Sequence, residues 1–152
     1  MWPWLVACLT LAADQLSKQL VLATLQVGES IPVIPHVLHL TYVQNTGAAF
    51  GLFKGLQPLF VLLAIVVIGW LARELRARTS PADPVAWGCA LVLGGALGNL
   101  ADRLRLFYVV DFIDIRIWPV FNIGDSAITI GVILLLWQSL MSARHATRDA
   151  PQ

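Results

Sequence analysis

The segment GGALGNLADRLR, residues 94–105, opens like the interior of a membrane helix and closes on Asn99, Asp102 and Arg103. On a helix rising about 1.5 Å per residue, these polar groups fall within little more than one turn. A charged side chain in the bilayer core costs roughly 3 kcal/mol even on the mildest scale, so each must be paired, reach the interface or perform a task. The position of this segment relative to the other polar residues therefore decides both fold and site.

Around it the chain is strongly apolar: 58% of its 152 residues are hydrophobic and 12% are charged, with a mean hydropathy of +0.75. Such values belong to membrane proteins. A net charge of +1 provides no basic surface, so nucleic-acid binding is set aside. Cys8 and Cys89 lie in apolar runs without a CxxC spacing and read as small buried hydrophobes. LVAC at 5–8 looks like a lipoprotein-processing box but comes too early and without preceding Lys or Arg, so it is read as chance.

A bilayer core needs about 20 apolar residues per helix, and four stretches approach that length: about 4–25, 56–72, 85–101 and 126–143. The expected fold is an all-α integral membrane protein in a single membrane-embedded domain over residues 1–152. Four spans put both termini on one side. Arg73, Arg76, Arg78, Arg144 and Arg148 cluster on that side, whereas Lys18, Lys54, Arg103, Arg105 and Arg116 are scattered on or near the other, which favours cytoplasmic termini. The other face carries two connections. Residues 28–53, with prolines and the partial alternation HVLHLTYV, predict a small β-like extracytoplasmic element. Residues 104–121, aromatic and amphipathic, predict a loop lying along the interface.

With this topology the costly residues converge at one depth. Asp14 and Lys18 occupy the loop-side half of span one, Asn99, Asp102 and Arg103 the end of span three, and Asn122 and Asp125 the start of span four. Asp14 and Lys18, four apart with the acid first, suit a helical ion pair that would also ease insertion. Ser17 and Lys18 point about 100° apart on a helix, so they form no serine–lysine dyad. Asn99 shares a face with Asp102, and Asn122 with Asp125 and Thr129, giving each aspartate an orienting amide. Capping by Asp125 or Ser126 and dipole matching by Arg103 would explain part of this, but not an aspartate near a helix C-terminus such as Asp102. Gly94 and Gly98 have the spacing that lets helices approach backbone to backbone.

Two carboxylates a few ångströms apart share a proton, one drawing a proton from water while the other polarises a scissile carbonyl. Asp102 and Asp125 are the expected catalytic pair, and water attack on a peptide bond the expected chemistry. His36 and His39 would point to opposite faces of a strand with no carboxylate cluster beside them, so no metal site is expected.

Five ordered blocks strengthen this reading: DQLSK (14–18), NTGAAFG (45–51), GNLADR (98–103), VVDFID (109–114) and FNIGD (121–125). Through them nearly the whole chain resembles the prolipoprotein signal peptidases, or signal peptidase II, bacterial membrane aspartyl proteases. The resemblance implies Asp102 and Asp125 as catalytic, Asn45 and Gly47 in a substrate-positioning loop, and Asn99, Arg103 and Asn122 supporting the pair. Asp14, with Lys18 beside it in the same block, would stabilise the site, and Asp111 would shape the loop after span three. It further implies a diacylglyceryl-modified prolipoprotein as substrate, cut just before the lipidated cysteine, with neither metal nor other cofactor. A globomycin-type inhibitor is expected to block the site. The setting implied is the bacterial cytoplasmic (inner) membrane, with membrane lipid around the chain and the active site at the extracytoplasmic face. A monomer is expected, since one chain supplies every site residue. Gly124 departs from the family's usual alanine, a change expected to loosen the backbone by less than about 1 kcal/mol. The rival reading is a small ion- or proton-translocating protein, because converging intramembrane acids also build ion pathways. Such proteins more often spread polar groups through the bilayer depth.

Overall fold

The structure, a computed structural model, describes residues 1–47, 57–78, 80 and 82–148, with side chains as far as Ser142. Residues 48–51 of the second block, the rest of the first loop to 53, Lys54, the start of the second span at 56 and the side chains of Arg144 and Arg148 lie outside the described set.

Among the described residues four helices are long and apolar enough to cross a bilayer: α1 (Trp2–Thr24), α2 (Gln57–Arg76), α3 (Pro84–Leu106) and α4 (Ile123–Arg148), the last over Ile123–Ser142. Their burial is unequal. Over the most apolar window, 56% of α3 but only 11% of α2 is buried within the protein, so α3 is the hub and α2 turns most of its surface outward. On that outer surface Leu62, Ile65, Val66 and Trp70 are exposed, as lipid-facing side chains should be.

Glycine makes the hub possible. A methyl on Gly94 would come within 2.6 Å of Ala7 O and of Thr10 Cβ on α1, and one on Gly88 within 3.0 Å of Gly131 O on α4. Gly95 faces Gly124 O so closely that no Cβ fits. The small residues of α3 thus let α1 and α4 approach on two sides, by the close-approach packing that apolar solvent favours. At its start, Asp83 accepts a 2.9 Å hydrogen bond from Val85 N as N-cap, with Pro84 in the first turn. Arg78, 2.6 Å from Glu74 and 2.8 Å from Asp83, ties the end of α2 to that cap.

The first loop forms β1 (Ser30–Ile34) and β2 (Leu38–Asn45), joined in a three-stranded antiparallel sheet of order β1-β2-β3 by β3 (Val109–Asp114). The third strand gives regular structure to the middle of 104–121, the run expected as an interfacial loop. Helix α3 continues to Leu106 because the polar residues of its last turns are satisfied inside the bundle, and Phe107 ends it at φ 64°. Val109 is buried, and Val110 and Phe112 pack in one apolar cluster with Val21, Leu25 and Tyr42. On either side of β3 apolar residues still face outward, Phe107 at 75% exposure before it and Ile117 at 89% after it.

Candidate active site

Lys18 sits at the centre of the convergence. Its ammonium lies 2.8 Å from Asp14 Oδ2, 2.9 Å from Asp102 Oδ2 and 2.8 Å from Asn99 Oδ1, so each of its three protons has an acceptor. Asp14 and Lys18 are wholly buried. The expected helical ion pair is therefore present, but it extends across to α3. Asp14 reaches α4 as well, its Oδ1 accepting from Gly124 N at 2.8 Å.

Asp102 has a different neighbourhood from the one its spacing suggests. Its Oδ2 accepts from Lys18 and, at 3.1 Å, from Val110 N, and its Oδ1 accepts from Gln15 Nε2 at 3.0 Å. At 2% exposure it is an enclosed carboxylate facing a cation. The aspartate that shares a grip with Asp125 is Asp111, on β3. Asn122 Nδ2 donates to Asp111 Oδ1 at 2.6 Å, while Asn122 Oδ1 accepts from Asp125 N at 2.8 Å and Asn122 N donates to Asp125 Oδ2 at 3.3 Å. The last two bonds form a reciprocal capping box at the start of α4, so the same residues begin the helix and build the site. The capping role weighed for Asp125 is therefore present, with Asn122 as its reciprocal partner.

The other amides complete the frame. Asn99 Nδ2 donates to Asp125 Oδ1 at 2.8 Å, and Asn45 Nδ2 donates to Asp111 Oδ2 at 2.9 Å. Asn45 Oδ1 in turn accepts from Gly47 N at 3.0 Å, a local turn that fixes the amide's direction. Arg103 stacks 5.6 Å above the Phe60 ring and donates to Asn99 O at 3.4 Å, with the charges of Asp125, Asp111 and Asp102 nearby. Four carboxylates thus face two cations, and full ionisation would leave excess negative charge in a buried site. Burial, and then the charge of Asp125, pushes the Asp111 carboxyl up to about 7, against the opposing pull of Asn45, Asn122 and Lys18. Neither Asp111 nor Asp125 is in an ion pair among the described residues.

Asp125 also lines a cavity of about 380 Å³, together with Ile115, Trp118, Phe121, Ser126, Thr129 and Ile130. One carboxylate therefore meets an apolar recess while its partner stays enclosed. Around Gly124 the space is tight: a methyl would lie 3.0 Å from Asp14 Oδ1, 3.0 Å from Gly95 O and 3.1 Å from Asn122 Oδ1. In this chain glycine relieves crowding there rather than merely loosening the backbone. His36 sits in the turn before β2 at φ 66°, so it shares no strand with His39.

Sequence reasoning missed Gln15 and the backbone donors of Val110 and Gly124, and it gave Asp111 a lesser place. A carboxylate between Val110 and Phe112 in a buried strand is as costly as one in a span, and that signal was available.

Residues 6–141 match the family described as signal peptidase (SPase) II. The chain is 49% identical to a lipoprotein signal peptidase of Moorella thermoacetica over 95% of its own length and 97% of the relative's. It is 48% identical to a lipoprotein signal peptidase of Halothermothrix orenii over 89% and 94% of the two lengths. A bacterial membrane enzyme solved by the in meso method at 2.3 Å resolution superposes with a TM-score of 0.89 at 33% identity, covering 99% of this chain and 94% of that one. Sequence and fold agree along nearly the whole length, and the chain belongs to the signal peptidase II family of membrane aspartic peptidases.

Proposed function

We propose that the chain removes signal peptides from diacylglyceryl-modified prolipoproteins by hydrolysis just before the lipidated cysteine, with Asp111 and Asp125 as the working carboxylates. The observation that carries this is the shared grip of Asn122, which orients Asp111 and Asp125 together while Lys18 holds Asp102 as a counter-charge. Asp102, the partner expected from spacing, becomes the enclosed anion that fixes Lys18 and the start of β3. Two neighbouring carboxylates, neither in an ion pair among the described residues, favour a single shared proton.

In the resulting mechanism a water molecule at the cavity edge gives a proton to ionised Asp125 as its oxygen bonds to the scissile carbonyl carbon. Protonated Asp111 donates to the carbonyl oxygen, forming a tetrahedral diol. Collapse re-forms the carbonyl and breaks the C–N bond, the departing cysteine amine taking the proton from Asp125 while Asp111 recovers its own. Asn99 and Asn45 hold the outer oxygens of the pair through each transfer. The apolar cavity wall suits a lipid-modified substrate.

The positive-inside bias of Arg73, Arg76 and Arg78 at the end of α2 supports cytoplasmic termini and an extracytoplasmic site. All proposed site residues belong to one chain, which supports action as a monomer, and a globomycin-type inhibitor would compete for the cavity. Cleavage of a diacylglyceryl-modified precursor by the purified protein tests the reading. Asp111→Asn and Asp125→Asn should fold and lose turnover by at least about a hundredfold. If folded Asp111→Asn keeps near-parental turnover, the working pair is not Asp111 with Asp125.

A further inference from the structure

The connection between β3 and α4 is a closed loop pinned at its base. At the base, Phe112 N and Ile113 N donate to Phe121 O at 3.0 and 2.7 Å, and Phe121 N donates to Ile113 O at 3.1 Å. The inner side of the loop supplies Ile115 and Trp118 to the cavity that holds Asp125. The tip carries Ile117, 89% exposed, beside Trp118. Apolar and aromatic residues at that level gain by sinking into the lipid interface. Such a pull would draw the wall away from α4.

A polar tether opposes it. Arg116 turns back at φ 66°, its N–H donating to Asp114 Oδ1 at 2.9 Å, while Ile117 N closes the turn onto Ile115 O at 2.8 Å. Its guanidinium crosses to the sheet, where Nη2 lies 2.6 Å from His39 Nδ1 on β2 and 3.4 Å from Ser30 Oγ on β1. A guanidinium only donates, so His39 Nδ1 must accept and the ring proton must sit on Nε2. Thr41 braces the far side, donating to Asp114 Oδ2 at 2.8 Å and bonding Ser30 Oγ at 2.8 Å. None of these groups contacts Asp111 or Asp125 in a hydrogen bond or ion pair among the described residues.

We propose that Arg116 is a positioning residue whose latch onto His39 and Ser30 holds the Ile115–Trp118 wall against α4, and so sets how well the cavity at Asp125 grips the apolar part of its substrate. This rests on the peptidase reading for its functional consequence, though the latch itself can be measured without cleavage. Its signature is a loss of substrate grip with the chemical step preserved.

The test uses the purified full chain in lipid nanodiscs, with Arg116→Ala, His39→Leu, the double variant and His39→Asn, whose amide oxygen stands where Nδ1 accepted. Against a diacylglyceryl-modified precursor, each single variant should raise KM about fivefold or more with kcat within about twofold, and the double variant should be no worse than either single one. His39→Asn should restore near-parental KM. Backbone hydrogen exchange should speed up at 115–118 in Arg116→Ala and stay slow at 110–113. Unchanged exchange at 115–118 overturns the latch, and unchanged KM, or additive effects in the double variant, overturns its role in substrate grip. A parent protein that cuts no precursor overturns the peptidase reading instead, leaving the exchange result to decide the latch.

Discussion

Gly98→Ala tests the site through its scaffold. A methyl on Gly98 would overlap Asp14 Oδ2 and come within 2.9 Å of Asp14 Cγ. The carboxylate has nowhere to retreat, since Oδ2 is 2.8 Å from Lys18 Nζ and Oδ1 is 2.8 Å from Gly124 N, all in buried surroundings. Breaking one side of a buried ion pair costs ~3–5 kcal/mol, whereas replacing glycine by alanine inside a helix returns ~1 kcal/mol. The net expectation is a loss of about 2–4 kcal/mol. Equilibrium unfolding in mixed micelles, followed by tryptophan fluorescence, measures it. Gly69→Ala is the control, because nothing lies within 4 Å of the added Cβ, and there the helix-propensity gain of ~1 kcal/mol should appear alone. In the Asp14→Ala background the Gly98→Ala penalty should vanish, because the two changes act on one contact. A Gly98→Ala protein within about 0.5 kcal/mol of the parent, below the usual scatter of such comparisons, would refute the reasoning.

Lys18→Met leaves Asp14 and Asp102 facing each other without a cation and frees Asn99 Oδ1, so stability should fall by ~3–5 kcal/mol in the same unfolding assay. Asp111 retains its proton to about pH 7, so the protonated form that donates to the carbonyl oxygen is lost above that pH. Turnover should therefore decline as pH rises through about 7, measured as a kcat–pH profile. The same raised value makes ionising Asp111 destabilising. That penalty is absent below its ordinary range and grows toward neutrality, and Asp111→Asn should flatten this part of the stability–pH curve. Gly124→Ala should lower stability by ~1–3 kcal/mol, the usual range for overpacking, because three oxygens crowd the new methyl. A stabilised Gly124→Ala protein would show that α1 and α4 separate more readily than their contacts suggest.

The four spans were legible because bilayer thickness fixes the length of an apolar helix, and the convergence of polar groups followed from which end of each span held them. Asp14 with Lys18 and Asn122 with Asp125 were readable as neighbours because each pair lies within one helical turn. The partners of Asp102 and Asp111 lie beyond that reading. Helical spacing places a residue on a face, but the choice of partner depends on how α1 and β3 dock, which no local period encodes. The strand inside 104–121 was hidden for a related reason. An aromatic, amphipathic run looks interfacial until β2 offers it an open backbone edge, and pairing then buries VVDFID. Gly124 N as a donor to Asp14 was invisible for the same cause, since backbone groups carry no sequence signature.

The recess beside Asp125 is bordered by Trp118 and Ile130, both exposed on the protein's outer surface. A ligand tethered in the lipid leaflet meets such an opening by sliding sideways, a search in two dimensions within a thin layer. A free peptide must find it from bulk water. Anchoring raises the local concentration at the carboxylates by orders of magnitude without any added contact. The geometry of entry thereby acts as a filter in its own right, favouring chains already held in the membrane whatever their sequence.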